Sequence, residues 1–190
     1  LDMNETFFEV PDEDSDRVVT IHQRINEVFS EIQNPKKITA PEYGDRGLNS
    51  TASDYAKFLR MLLNNGTSDN GELVLRPDTI KMLASNHIGG LRTELQPMAR
   101  PTFAREFPVP ESRGIDYWGL GFQIAGADSA LGRSKGSLSW AGIFNTKFWI
   151  DREKNIAAIL LMQYLPFEDQ AHLEMLNRFE EIIYKNLNGV

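Results

Sequence analysis

At 190 residues, with 41% apolar and 25% charged side chains, the chain has the make-up of one globular domain or a large piece of one. A net charge of −7 excludes the concentrated basic face that nucleic-acid binding needs. The absence of cysteine excludes disulfides and thiolate metal sites, and no apolar run approaches the length of a membrane span. The chain starts at Leu1 rather than Met, without a signal peptide, so localisation stays open between periplasm, secretion and cytoplasm.

Residues 1–16 carry seven acids and no base, which predicts a solvated stretch whose Phe7, Phe8 and Val10 dock on a neighbour. Residues 17–33 show only weak periodicity and receive no element. Pro35, Pro41, Gly44 and Gly47 make 34–47 a loop. The clearest helix follows, with Thr51 as N-cap and Asp54 three residues on. Its apolar stripe is Tyr55, Phe58, Leu59, Leu62 and Leu63, and Asn64-Asn65-Gly66 ends it. A second, short helix starts at Pro77 and turns Ile80 and Leu83 to one side.

Residues 86–116 are irregular, broken by Pro97, Pro101, Pro108 and Pro110 and decorated by Arg92, Arg100, Arg105 and Arg113. So long a loop either lines a site or is a surface excursion, and no spacing decides between them. Residues 117–125 read as one strand thinned by Gly119 and Gly121. Three further strand runs, 134–140, 144–150 and 156–162, are joined by Ala141-Gly142 and by the charged reversal 151–155, which makes an antiparallel meander. The last run, Ile156 through Met162, is apolar throughout. It is therefore expected to be covered on both faces and paired on both edges. Residues 168–187 form a long amphipathic helix with Leu173, Leu176, Phe179, Ile183 and Leu187 on one face.

The pattern is α+β: an antiparallel meander flanked by helices, with a long C-terminal helix. Residues 1–190 are expected to form a single partial domain, 1–116 mainly helix and loop and 117–190 strands plus closing helix. Few chemical motifs stand out. His22, His87 and His172 are scattered at spacings unsuited to a metal site, and no phosphate loop or Gly-x-Ser-x-Gly elbow occurs, so neither metal nor cofactor is expected.

Two stretches carry a resemblance. Gly47 to Tyr55 (GLNSTASDY) matches a Gly-Leu-x-Ser-Thr-Ala-x-Asp-Tyr phrase, and Trp140-Ala141-Gly142 matches the position of a Lys-Thr-Gly, His-x-Gly or Trp-Gly-Gly motif. In this the chain resembles the C-terminal part of the serine β-lactamase and penicillin-binding-protein superfamily, closest to its class C-like esterase branch. Residues 1–8 also resemble the phrase after that family's mid-chain helix. The resemblance implies the C-terminal part of a β-lactamase/transpeptidase-like fold. It also implies a parent hydrolase that attacks an ester, amide or β-lactam through an acyl-enzyme. The backbone N–H of Ile143 would be an oxyanion donor, with Trp140, Ala141 and Gly142 lining the substrate site and Gly142 letting substrate approach closely.

The departures are as informative. No serine here begins a Ser-x-x-Lys, and the one Tyr-x-Asn, at Tyr184, reads as a chance match on a solvated helix end. Both motifs are expected upstream of Leu1, which leaves this chain inactive alone. A non-catalytic descendant used for binding or assembly is the alternative. Trp140, standing where other members place Lys or His, favours a neutral ester or amide over a carboxylate-bearing β-lactam. In the family, the strand matching 156–162 pairs with an N-terminal strand. Its edge here is therefore expected to be covered by dimerisation, strand exchange or a complementing chain.

Overall fold

The computed structural model describes residues 1–34, 47–107 and 115–187. Arg113, Pro108, Pro110 and most of the 34–47 loop lie outside the described residues. Two sheets and three α-helices are present among the rest. The larger sheet runs β3-β4-β5-β6-β7, antiparallel throughout. It contains β3 (Tyr117–Trp118), β4 (Gln123–Ile124), β5 (Leu138–Gly142), β6 (Thr146–Asp151) and β7 (Ile156–Leu160). The smaller sheet runs β2-β1-β8, with β1 (Ile21–Ile25), β2 (Val28–Ile32) and β8 (Tyr164–Leu165). The helices are α1 (Ala52–Leu63), α2 (Pro77–Leu83) and α3 (Gln170–Leu187), and a single 3₁₀ stretch covers Asp12–Arg17.

The meander forms as expected, with Trp140 opposite Phe148 and Ile150 opposite Ala157. Three expectations need correction. Residues 117–125 are a small hairpin rather than one strand, because Gly121 takes φ 88° and reverses the chain between β3 and β4. Residues 17–33, left unassigned, contain the β1–β2 hairpin. Its turn is Asn26-Glu27, both with positive φ (48° and 69°), a conformation usually announced by Asn-Gly rather than Asn-Glu. The third concerns 156–162. Only 156–160 of it is strand; β7 is the last strand of its sheet, and its outer edge has no strand partner among the described residues, which leaves open the expectation of a cover from outside the chain.

Both faces of β7 are nonetheless covered, which accounts for its unbroken apolar sequence. Ala157 and Ile159 pack into a core of Leu59, Leu62, Ile80, Phe122, Ile124, Leu138 and Ile150 under α1 and α2. Ile156 and Ala158 join Trp149 and Tyr184 against Leu176, Phe179 and Ile183 of α3. The sheet is thus a filling between two helical layers.

Local chemistry sets the helix ends. Thr51 Oγ1 accepts from the Asp54 N–H at 3.3 Å, as the cap reading predicts. At the other end Asn65 and Gly66 take positive φ, and a side chain at Gly66 would collide with the Leu75 carbonyl. Asp54 also accepts from the Glu5 N–H at 2.7 Å and the Thr6 hydroxyl at 3.0 Å. Lys57, 2.9 Å away, and these donors hold its carboxyl below the usual range. The acidic opening stretch is thereby pinned to α1, and Phe7 exchanges backbone bonds with Asn49 at 2.8 and 2.7 Å. Helix α3 starts at Gln170 rather than Glu168, whose φ of 57° is not helical.

Candidate active-site wall

The edge of β5 is half open. Strand β4 pairs with it only at Leu138 and Ser139, so Trp140, Ala141 and Gly142 have no strand partner on that side among the described residues. On the other side they pair with Phe148, Lys147 and Thr146 of β6. Gly142 opens a turn closed by the Asn145 N–H on its carbonyl at 3.0 Å. Residues hydrogen-bonded across an antiparallel pair alternate with residues whose backbone groups point outward. Gly142 therefore faces β6, and Ala141 turns its N–H and C=O towards the open edge. The Ile143 N–H makes no hydrogen bond to any described residue, and Ile143 is 39% exposed.

Trp140, Ala141 and Gly142 thus end β5, and Ile143 begins the turn that follows. The sequence reading assigned Gly142 the task of admitting substrate. The structure adds an internal reason: a Cβ there would meet Thr146 Oγ1 on the paired strand. Trp140 is half-buried in an aromatic group that sequence spacing could not foresee. Its ring lies 4.5 Å from Trp118 and 4.9 Å from Phe107, and Phe107 lies 4.8 Å from Phe167. Phe107 comes from the irregular 86–116 segment, so part of that loop does border this strand. Arg92 instead stacks on Tyr117 at 4.3 Å and donates to the Gly90 and Leu91 carbonyls.

Beneath the turn sits a buried ion pair, Lys147 with Glu168. Next to it His172 is fully buried, its Nδ1 3.4 Å from Met162 Sδ and its Nε2 without a partner among the described residues. Burial first, and then the nearby Lys147 charge, push this imidazole down to about 4, so it is neutral at pH 7. His87 rests on the Met82 carbonyl at 2.8 Å, and His22 lies in β1. No group of three His, Asp or Glu able to hold a metal occurs among the described residues.

Tyr184 corrects one expectation. It is not on a solvated helix end but 4% exposed, donating to Asp151 at 3.0 Å and accepting from Trp149 Nε1 at 3.1 Å. Burial raises its hydroxyl above the ordinary tyrosine value, which unsuits it as a base. Two hollows, of about 430 Å³ beside Val19, His22, Phe29 and Tyr164 and about 210 Å³ beside Asp2, Lys57 and Asn70, lie away from β5.

The residue that sequence reasoning missed is Asn145. It is fully buried, with φ 66°, and its side chain bonds three backbone groups of the segment after β7. An Asn in a three-residue hairpin turn is the signal that was available.

The curated relatives Protein Rv1367c and Uncharacterized protein MT1414, both of Mycobacterium tuberculosis, are 27% identical over 175 residues. That match covers 86% of this chain and 40% of theirs, so the chain spans well under half their length. Among solved structures, a variant of Simvastatin Synthase (LovD) from Aspergillus terreus superposes with a TM-score of 0.78 at 20% identity, over 98% of this chain and 47% of that one. EstCE1, described as a hydrolase with promiscuous acyltransferase activity, gives 0.60 at 16% identity over 93% and 46%. A penicillin-binding-protein homolog from Caulobacter crescentus gives 0.56 at 18% identity over 93% and 48%. The fold is that of the serine β-lactamase and penicillin-binding-protein superfamily. The Beta-lactamase family model matches residues 1–180, and the chain belongs to that family.

Proposed function

We propose that this chain forms the oxyanion-donor wall of a serine hydrolase acting on a neutral ester or amide through an acyl-enzyme. The observation that carries the reading is the Ile143 N–H, left without a partner among the described residues at the open end of β5. In acyl transfer a serine oxygen adds to the carbonyl carbon, the carbonyl π pair moves onto oxygen, and that oxyanion needs donors fixed in advance. The Ile143 N–H would be one donor, and the nucleophile's own N–H the other. The leaving alkoxide or amine takes a proton as the acyl-enzyme forms, and water later releases the acid. Trp140, Ala141 and Gly142 would line the substrate, with the aromatic group around Trp140 offering an apolar wall; the Lys147 ammonium, which lies over the Phe107 and Phe167 rings, is paired with Glu168. Membership of the Beta-lactamase family and the likeness in fold to EstCE1 support the class of chemistry.

The sequence contains no Ser-x-x-Lys. The nucleophile is therefore assigned to residues outside it, and these 190 residues are expected to take no label from a fluorophosphonate probe. A form of the protein that carries the motif should be labelled on that serine. In it, Ile143→Pro removes the donor while suiting the second position of the turn, and should lower kcat about 10²- to 10³-fold. An unchanged kcat would remove Ile143 from the mechanism.

The missing motif also favours a second reading, a non-catalytic member whose β5 edge binds rather than reacts. The sequence encoded upstream of Leu1 separates the two. The presence of Ser-x-x-Lys and Tyr-x-Asn there supports the hydrolase, and their absence supports the binding protein. On either reading we propose that the outer edge of β7 is covered by a complementing segment or a second copy.

A further inference from the structure

We infer that Asn145 is the positioning residue that fixes the direction of the Ile143 N–H. Its mechanistic meaning rests on the reading above, but the geometry stands by itself. The turn 143–145 is short and is closed by the Asn145 N–H on the Gly142 carbonyl at 3.0 Å. Beyond the Gly142–Thr146 strand pair, further hydrogen bonds to the turn come from residues 164–168. Asn145 Nδ2 donates to the Tyr164 carbonyl at 3.0 Å and to the Pro166 carbonyl at 2.9 Å, and Oδ1 accepts the Glu168 N–H at 2.9 Å. The Tyr164 N–H adds a bond to the Phe144 carbonyl at 3.3 Å.

Both amide hydrogens and the amide oxygen are thus engaged, in a residue with no exposed surface. The anchoring segment is itself held. Phe167 N–H bonds the Phe103 carbonyl at 3.0 Å, Arg105 N–H bonds the Phe167 carbonyl at 2.8 Å, and Glu168 pairs with Lys147, which stands opposite Ala141. The clamp therefore ties the 143–145 turn to Phe103 and Arg105 of the irregular segment and back to β6.

Asn meets two separate demands here. The backbone at φ 66° is left-handed, tolerated by Asn and free for Gly. The side chain must donate twice and accept once, which neither Gly nor Asp can do. Asn145→Gly keeps the backbone and deletes the clamp. Asn145→Asp keeps the shape but turns a carboxylate towards the Tyr164 and Pro166 carbonyls. The control is Tyr184→Phe, which removes a buried hydroxyl under α3, away from this turn.

The experiment uses the ¹⁵N-labelled chain. In wild type the Ile143 N–H should have the order parameter of rigid backbone, about 0.85, and a value under about 0.6 would overturn the inference before any variant is made. In Asn145→Gly and Asn145→Asp, the Ile143 N–H residual dipolar coupling should change. Exchange of the Glu168 amide should rise about tenfold or more, as expected for a lost bond of roughly 1.4 kcal/mol. In Tyr184→Phe neither should move. An Ile143 coupling that stays at its wild-type value while the Glu168 amide loses protection would refute the positioning role. If the turn behaves as inferred but a motif-bearing form of the protein takes no acyl group, the hydrolase reading fails and the role of Asn145 does not.

Discussion

Two residues near the wall make claims that can be measured. Gly142 is held small by its own hairpin, since a Cβ there would meet Thr146 Oγ1, whereas the Thr146 Cβ is 3.6 Å away. Gly142→Ala should therefore cost about 1 kcal/mol, the low end for overpacking because a threonine can rotate. Adding Thr146→Ala should return most of it, as denaturant midpoints would show. A double variant as unstable as the single one would refute the steric account. His172 makes a prediction about pH. Its value falls from 6.5 in the unfolded chain to about 4 when folded, so the unfolded state binds the proton first. The stability from keeping it neutral is complete above about 6.5 and lost as pH falls towards 4, no more than about 3 kcal/mol in all. His172→Gln should flatten that slope in denaturation series between pH 7 and 4. Parallel curves for variant and wild type would show that other groups cause it. The depressed carboxyls, Asp54 beside Lys57 and Asp151, titrate lower, below the usual carboxylate range.

At the scale of elements, α3 is held to the sheet by a polar cluster as well as by Phe179 and Ile183. Arg133 and Glu180 form an ion pair with both side chains about 5% exposed or less, and the Arg133 guanidinium lies 4.5 Å over the Trp149 ring. Asp151 is raised by burial, but the Ser134 and Lys154 N–H groups and the Tyr184 hydroxyl outweigh this and hold it charged. Breaking a buried pair strands a charge, so Arg133→Met alone should cost about 3–5 kcal/mol. Replacing Glu180 with Met as well should recover most of that loss, because both charges are then gone. Thermal melts of the two variants test this, and equal losses would mean that the stacking on Trp149, not the charge, carries the energy.

On the scale of the whole molecule, the open feature is the outer edge of β7. That edge has no strand partner among the described residues, and with both faces of β7 packed its outward N–H and C=O groups are in line for another chain. Light scattering of the isolated chain is expected to give a mass of at least two copies, or of a complex with a complementing segment. The β7 amides should exchange slowly when that edge is covered. A monomer whose outward β7 amides exchange freely would argue against the proposal. The relatives are more than twice as long as the matched part, which gives such a segment room to exist in them.

Much of this was readable from residues alone, and the reason is local. Thr51, Asp54 and the stripe through Leu59 and Leu62 fix α1 by capping and by a period of 3.6. Residues 138–160 form their meander because apolar runs alternate with turn residues, whereas Trp140 to Ile143 stood out only through their match in position to a family motif. What the sequence could not show depends on residues far apart in the chain. The β1–β2 hairpin is exposed on most of its positions and lacks an Asn-Gly turn, so no pattern marked it. Tyr184 looked solvated because helical periodicity cannot see Asp151 and Trp149, more than thirty positions away. Asn145 had only the look of a turn residue. Its burial, its three bonds to residues 164–168 and their hold on the Ile143 turn exist only once β6, β8 and α3 are packed together.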